Sequence, residues 1–88
     1  MRSVVRIGNQ LLRDQDFEKG ISVFERAREI YTDLPEAHWR VGEAYRLAGR
    51  LAEARPHFER AYELATEQKA PDLSDYKATL ETFDQDAP

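Results

Sequence analysis

Side chains that could carry out chemistry are few and scattered. The chain has two histidines and no cysteine, which excludes disulfides, thiol nucleophiles, zinc–thiolate sites and iron–sulfur clusters. His38 and His57 lie 19 residues apart on different predicted helices, and no further ligand set converges on them to hold a metal. His57 follows Glu53 by four residues, a spacing that suits a helix-surface pair. Ser3, Ser22 and Ser74 lack a nucleophile elbow. The 17 Asp and Glu residues spread over helix faces as solvating groups rather than as an acid/base pair. Gly8 and Gly42 are not a phosphate loop, because no strand precedes them and no Gly-Lys-Ser/Thr follows. The reading is non-catalytic, with no metal and no cofactor.

Composition narrows the partners. With 88 residues the chain makes one small domain, and 41% hydrophobic residues are enough for a modest core. A formal net charge of −4 argues against nucleic acid, whose binding rests on neutralising phosphates. No apolar run approaches the roughly 20 residues that span a bilayer. Met1 to Arg6 begins like a basic leader, but its apolar stretch ends at once. A soluble, cytoplasmic domain is expected.

The elements follow from an internal repeat. Gly8 and Gly42 are 34 residues apart, and the same offset pairs Ile7 with Val41, Leu11 with Tyr45 and Phe17 with Leu51. It also pairs Gly20 with Ala54, Phe24 with Phe58, Ala27 with Ala61 and Ile30 with Leu64. Within each unit the apolar spacing is helical. Val4, Ile7, Leu11 and Leu12 make one stripe, and Phe17, Ile21, Phe24, Ala27 and Tyr31 make a second. Asp16 is placed to cap the second helix, Gly49 to end the third, and Leu34-Pro35 to turn the chain into a new helix start. Each unit therefore reads as a helix–turn–helix hairpin. Its glycines admit close helix contact beside Phe24 or Phe58.

These residues resemble the tetratricopeptide repeat. The second unit fits its pattern with Val41-Gly42, Tyr45, Ala54 and Phe58, and the first fits with Ile7-Gly8, Leu11, Gly20 and Phe24. The departures are Val4 and His38 at the leading aromatic position and Thr32 and Thr66 at the closing proline. The resemblance implies an all-α fold, with repeat 1 over about 1–34 and repeat 2 over about 35–68. It also makes His38 a packing histidine. A helix over about 72–83, with Asp72 as its cap and Leu73, Tyr76, Leu80 and Phe83 inward, falls outside the 34-residue register and is expected to cover the open end. Residues 84–88 read as a frayed tail. Pro56 requires that the fourth helix start late, near Arg55, or kink.

In such repeats the first helix of each hairpin lines a concave groove. The implied groove residues are Arg2, Val5, Asn9, Leu12 and Arg13 in the first unit, with Glu36, Trp39, Glu43, Arg46 and Leu47 as counterparts. The two first-helix segments are positive against an acidic remainder, since 1–13 holds three arginines and no acid. Tryptophan beside arginine is a hot-spot composition. The expected partner is therefore a peptide with acidic and apolar elements, anchored on Trp39 near Arg13 and Arg46. On this reading Trp39→Ala removes binding and leaves helicity nearly intact. A clamp for chaperone C-termini is set aside, because Val5 stands where that clamp needs lysine. The alternative is an oligomerisation or appendage domain, a homodimer or the end of a larger bacterial protein. In that case the flank of Val4, Val5 and Ile7 would be the docking edge.

Overall fold

The computed structural model describes residues 1–86, with side chains through Phe83. Five helices follow one another: α1 (Arg2–Arg13), α2 (Phe17–Ile30), α3 (Pro35–Leu47), α4 (Leu51–Gln68) and α5 (Leu73–Asp86). No strand occurs among the described residues. α5 runs three residues past the expected end at Phe83, so the tail at 84–86 is helical in backbone; Ala87 and Pro88 lie outside the described residues.

The turns explain why the helices stop where they do. α1 and α3 both end on a residue with positive φ, Gln15 at 64° and Gly49 at 79°, again 34 positions apart. Behind Gln15 the Asp16 N–H reaches the Leu11 carbonyl at 2.8 Å, and behind Gly49 the Arg50 N–H reaches that of Tyr45 at 2.9 Å. These six-to-one bonds close a Schellman motif at both ends. Lys69, φ 52°, ends α4 in the same way, with Ala70 N–H on the Ala65 carbonyl at 2.9 Å. Before α3, Leu34 is extended and Pro35 takes the first helical position, where its missing N–H costs nothing. Asp16 does precede α2, but its side chain makes no cap bond and instead faces Lys19 at 3.6 Å.

Pairing within the hairpins is set by volume. A Cβ on Gly8 would collide with the Phe24 ring, and one on Gly42 would lie 2.8 Å from that of Phe58. Both phenylalanines are 1% exposed, so the two rings occupy matched pockets. Gly20 serves the same end from the partner helix, since a Cβ there would come within 2.7 Å of Leu12. α2 then packs on α3, and α4 on α5, so the hairpins stack and α5 extends the row.

α5 is more than a lid. α4 has 18 residues against 14 in α2, one extra turn that delays the next helix by four positions. At an offset of 38, Tyr76 matches His38 and Phe83 matches Tyr45, and all four are buried. Phe83 lies 5.5 Å from the Phe58 ring. α5 thus takes the place of a third first-helix. Leu80 stands where Gly42 stood, and among the described residues no phenylalanine of a following helix packs against it.

Two expectations change. α4 begins at Leu51, so Pro56 lies inside the helix and the late start does not occur. Pro56 and Ala52, whose carbonyl loses its partner, are both exposed, which leaves that carbonyl to water. In α1 the inward residues are Val4, Val5, Gly8 and Leu12, while Ile7 turns outward at 53% exposure and does not join the core stripe.

Candidate functional site

The row α1, α3, α5 carries two shallow depressions. One, of about 310 Å³, is lined by Asn9, Leu12 and Arg13 of α1 with Leu47 of α3. The other, of about 300 Å³, lies between Glu43 and Arg46 of α3 and Ala78, Thr79, Thr82 and Phe83 of α5. Six of the ten expected groove residues therefore border these depressions. The sequence alone does not reveal the α5 contribution, because α5 falls outside the 34-residue register. The 38-residue spacing of Tyr76 and Phe83 from His38 and Tyr45 is the signal that would have found it.

The two depressions differ in charge. Arg46 is held by Glu43, with Nη2 donating at 2.7 Å and Nε at 3.3 Å. Its cation is compensated before any partner arrives. Arg13 is exposed and has no ion pair among the described residues, and Leu47 beside it is 48% exposed. Asn9 adds a half-buried amide with both a donor and an acceptor. The α1/α3 depression is thus cationic and apolar, whereas the α3/α5 depression is internally neutralised.

The remaining expected residues serve other ends. Arg2 is exposed at the start of α1. Val5 packs against the core, and Leu12 is 8% exposed, so only its edge reaches the depression. Glu36 accepts from Arg40 at 3.2 Å. Trp39 is half-buried and packs against both core clusters, and its indole N–H donates to Thr79 Oγ1 at 3.0 Å. The Arg40 guanidinium covers the ring at 4.9 Å. Trp39 thus joins α3 to α5.

Both histidines are engaged in packing. His38 is 5% exposed and bonds the Thr32 carbonyl at 2.7 Å through Nε2, which must carry the proton because a carbonyl only accepts. His57 does not pair with Glu53, which binds Arg50 at 2.8 Å; it stacks on Tyr45 at 5.5 Å. Burial holds His57 below the ordinary imidazole value. Nearby, Glu25 accepts from Arg28 at 2.7 Å and from the Tyr45 hydroxyl at 3.0 Å. Burial pushes the Glu25 carboxyl up, but those bonds outweigh it and leave the group below the usual carboxylate range. Tyr45 is raised, first by burial and then by Glu25. This cluster ties α2 to α3 and α4, and no helical periodicity announces it. No group of three or more metal-ligating side chains occurs among the described residues, and no described helix is long and apolar enough to cross a membrane.

The family model of the tetratricopeptide repeat matches residues 1–67. The chain belongs to the tetratricopeptide repeat family. Comparison with curated proteins and with solved structures gives no match. Tetratricopeptide repeats are generally protein–protein interaction modules and typically non-catalytic. The matched span ends within α4, so α5 is the part of the row that this chain adds to its two repeats.

Proposed function

We propose that this tetratricopeptide domain binds an extended peptide segment along α1 and α3, with Asn9, Leu12, Arg13 and Leu47 as its recognition surface. The observation that carries the reading is the α1/α3 depression, where an unpaired arginine borders an exposed leucine and a half-buried amide. The amide can donate to and accept from a peptide bond at once. Arg13 pairs with a carboxylate, and Leu47 with the edge of Leu12 takes an apolar side chain. The partner is therefore a protein segment with an acidic residue beside an apolar one. Trp39 supports the groove wall from behind rather than anchoring the ligand.

Titration of short acidic–apolar peptides into the ¹⁵N-labelled protein tests this. The reading expects shifts centred on Asn9, Arg13 and Leu47, and roughly tenfold weaker binding in Arg13→Ala, the loss of one charge-assisted contact. Shifts confined to α2 and α4, or an unchanged affinity in Arg13→Ala, would contradict it.

A further inference from the structure

Among the described residues, the two ends of the row of helices present different charge. At the C-terminal end α5 has no hairpin partner, and the space beside it is a groove of about 430 Å³ lined by Tyr62, Thr66 and Leu80 with Glu59, Glu63 and Glu67. The three glutamates stand four residues apart along α4, so they form one acidic edge. Glu63 is paired with Arg60, whereas Glu59 and Glu67 have no ion pair among the described residues. The floor is apolar: Tyr62 and Leu80 are half-buried, and Leu80 fills the position that a glycine holds when a partner helix is present.

The N-terminal end offers a matching helix. On the outer face of α1, Ile7 and Leu11 form an apolar patch of about 380 Å³ with Arg6 and Gln10. Arg2 lies one turn before Arg6 on that face, both are exposed, and neither has an ion pair among the described residues. α1 contains no acidic residue. Ile7 is 53% exposed, although its counterpart Val41 is fully buried under a neighbouring hairpin. A helix with an apolar stripe and basic flanks therefore lies at one end of the described row, and an apolar groove with acidic flanks lies at the other.

We infer that α1 of one copy docks in the α4/α5 groove of a second copy, so that the protein associates head to tail. Ile7 and Leu11 lie on Tyr62 and Leu80, and Arg2 and Arg6 face Glu59 and Glu67. The contact is heterologous, so each copy keeps one free end and chains grow beyond the dimer. One helix in one groove is a small interface, which makes association weak and, with charged rims, sensitive to salt. The surface is distinct from the α1/α3 depression, so this inference does not rest on the peptide-binding reading.

Sedimentation of the full chain over a wide concentration range, at low and high salt, tests it with two surface variants. Arg2→Glu/Arg6→Glu disables the helix and keeps the groove, and Glu59→Lys/Glu67→Lys does the reverse. The wild type is expected to pass from monomer to dimer and larger species as concentration rises, with the transition moved about tenfold higher by salt. Each variant alone is expected to weaken association about tenfold or more, and an equal mixture to recover it, because the wild-type helix meets the wild-type groove and the reversed helix meets the reversed groove. That rescue also shows both variants folded, as does unchanged far-ultraviolet circular dichroism. A wild type that stays monomeric, including one whose groove binds only a foreign basic helix, would overturn the inference. So would association that neither variant weakens, or a mixture that fails to recover association, which would mark a symmetric contact.

Discussion

The two hairpins are built on one plan and live in different surroundings. Phe24 and Phe58 fill equal pockets against Gly8 and Gly42, and Ala27 and Ala61 are equally buried. Ile7 and Val41 also occupy equivalent places, yet they are 53% and 0% exposed; Ile30 and Leu64 are 62% and 3% exposed. The residue types agree at all of these positions, so the type does not set the exposure. The neighbour does. The second hairpin lies between α2 and α5, while the first has a hairpin on one side only. Contacts inside a hairpin are thus fixed by its own sequence. Contacts between hairpins depend on position in the row, as expected when stability is a sum of unit and interface terms.

The largest effect that sharpens this comparison is removal of the central rings. Phe58→Ala should cost about 4 kcal/mol in urea unfolding and Phe24→Ala about 3, because Phe58 also meets Phe83 while both rings fill a glycine-lined pocket. Equal costs would mean that α5 adds nothing to the second hairpin. Next comes the outward pair: Val41→Ala should cost about 2 kcal/mol, whereas Ile7→Ala should stay within about 0.5, since the removed methyls were buried in one case and wet in the other. A comparable loss at Ile7 at low protein concentration would show that the first hairpin has a cover after all.

Acid should act first through the cluster that joins α2 to α3 and α4. His57 is held below its ordinary value by burial, so the folded state resists protonation. As pH falls below about 6.5 the unfolded chain takes up the proton first, and stability drops until the folded pKa is reached. Glu25 is lowered as well, because its bonds from Arg28 and Tyr45 outweigh its burial. Its contribution is present above the unfolded carboxylate value and is lost as pH falls through the folded one. Thermal midpoints should therefore fall from pH 7 to pH 4, and the fall between pH 7 and 5 should be smaller in His57→Gln. An unchanged slope in that variant would exclude His57 as the upper group. The smallest effect is at the turns. Gln15→Gly should stabilise by about 0.5 kcal/mol, because a non-glycine residue with φ 64° carries strain, and Gly49→Ala should destabilise by about 1 kcal/mol at φ 79°.

The hairpins were legible in the sequence because their constraints are local in volume. A glycine that must admit a phenylalanine repeats with the unit, so Gly8/Phe24 and Gly42/Phe58 can be found by offset alone. Periodicity marks Ile7 as apolar, but its 53% exposure depends on a neighbouring helix that the stripe cannot reveal. The groove was legible on α1 and α3, where the repeat carries positions across. It was illegible on α5, because one added turn in α4 shifts the register from 34 to 38 and hides the equivalence of Tyr76 with His38. Trp39 and the Glu25–Tyr45–His57 cluster depend on partners 40, 20 and 12 positions away, respectively, and helical spacing carries no information at that range.

Native-state hydrogen exchange, measured on dilute protein at high salt so that copies stay apart, bears most directly on the claim that position in the row decides stability. Amides of α3 and of the middle of α4, flanked on both sides, should exchange slowest and near the global unfolding limit. Amides of α1 should open earlier, because that helix packs on one side only. Protection in α1 equal to that in α3 would contradict the account and make the two hairpins a single indivisible unit.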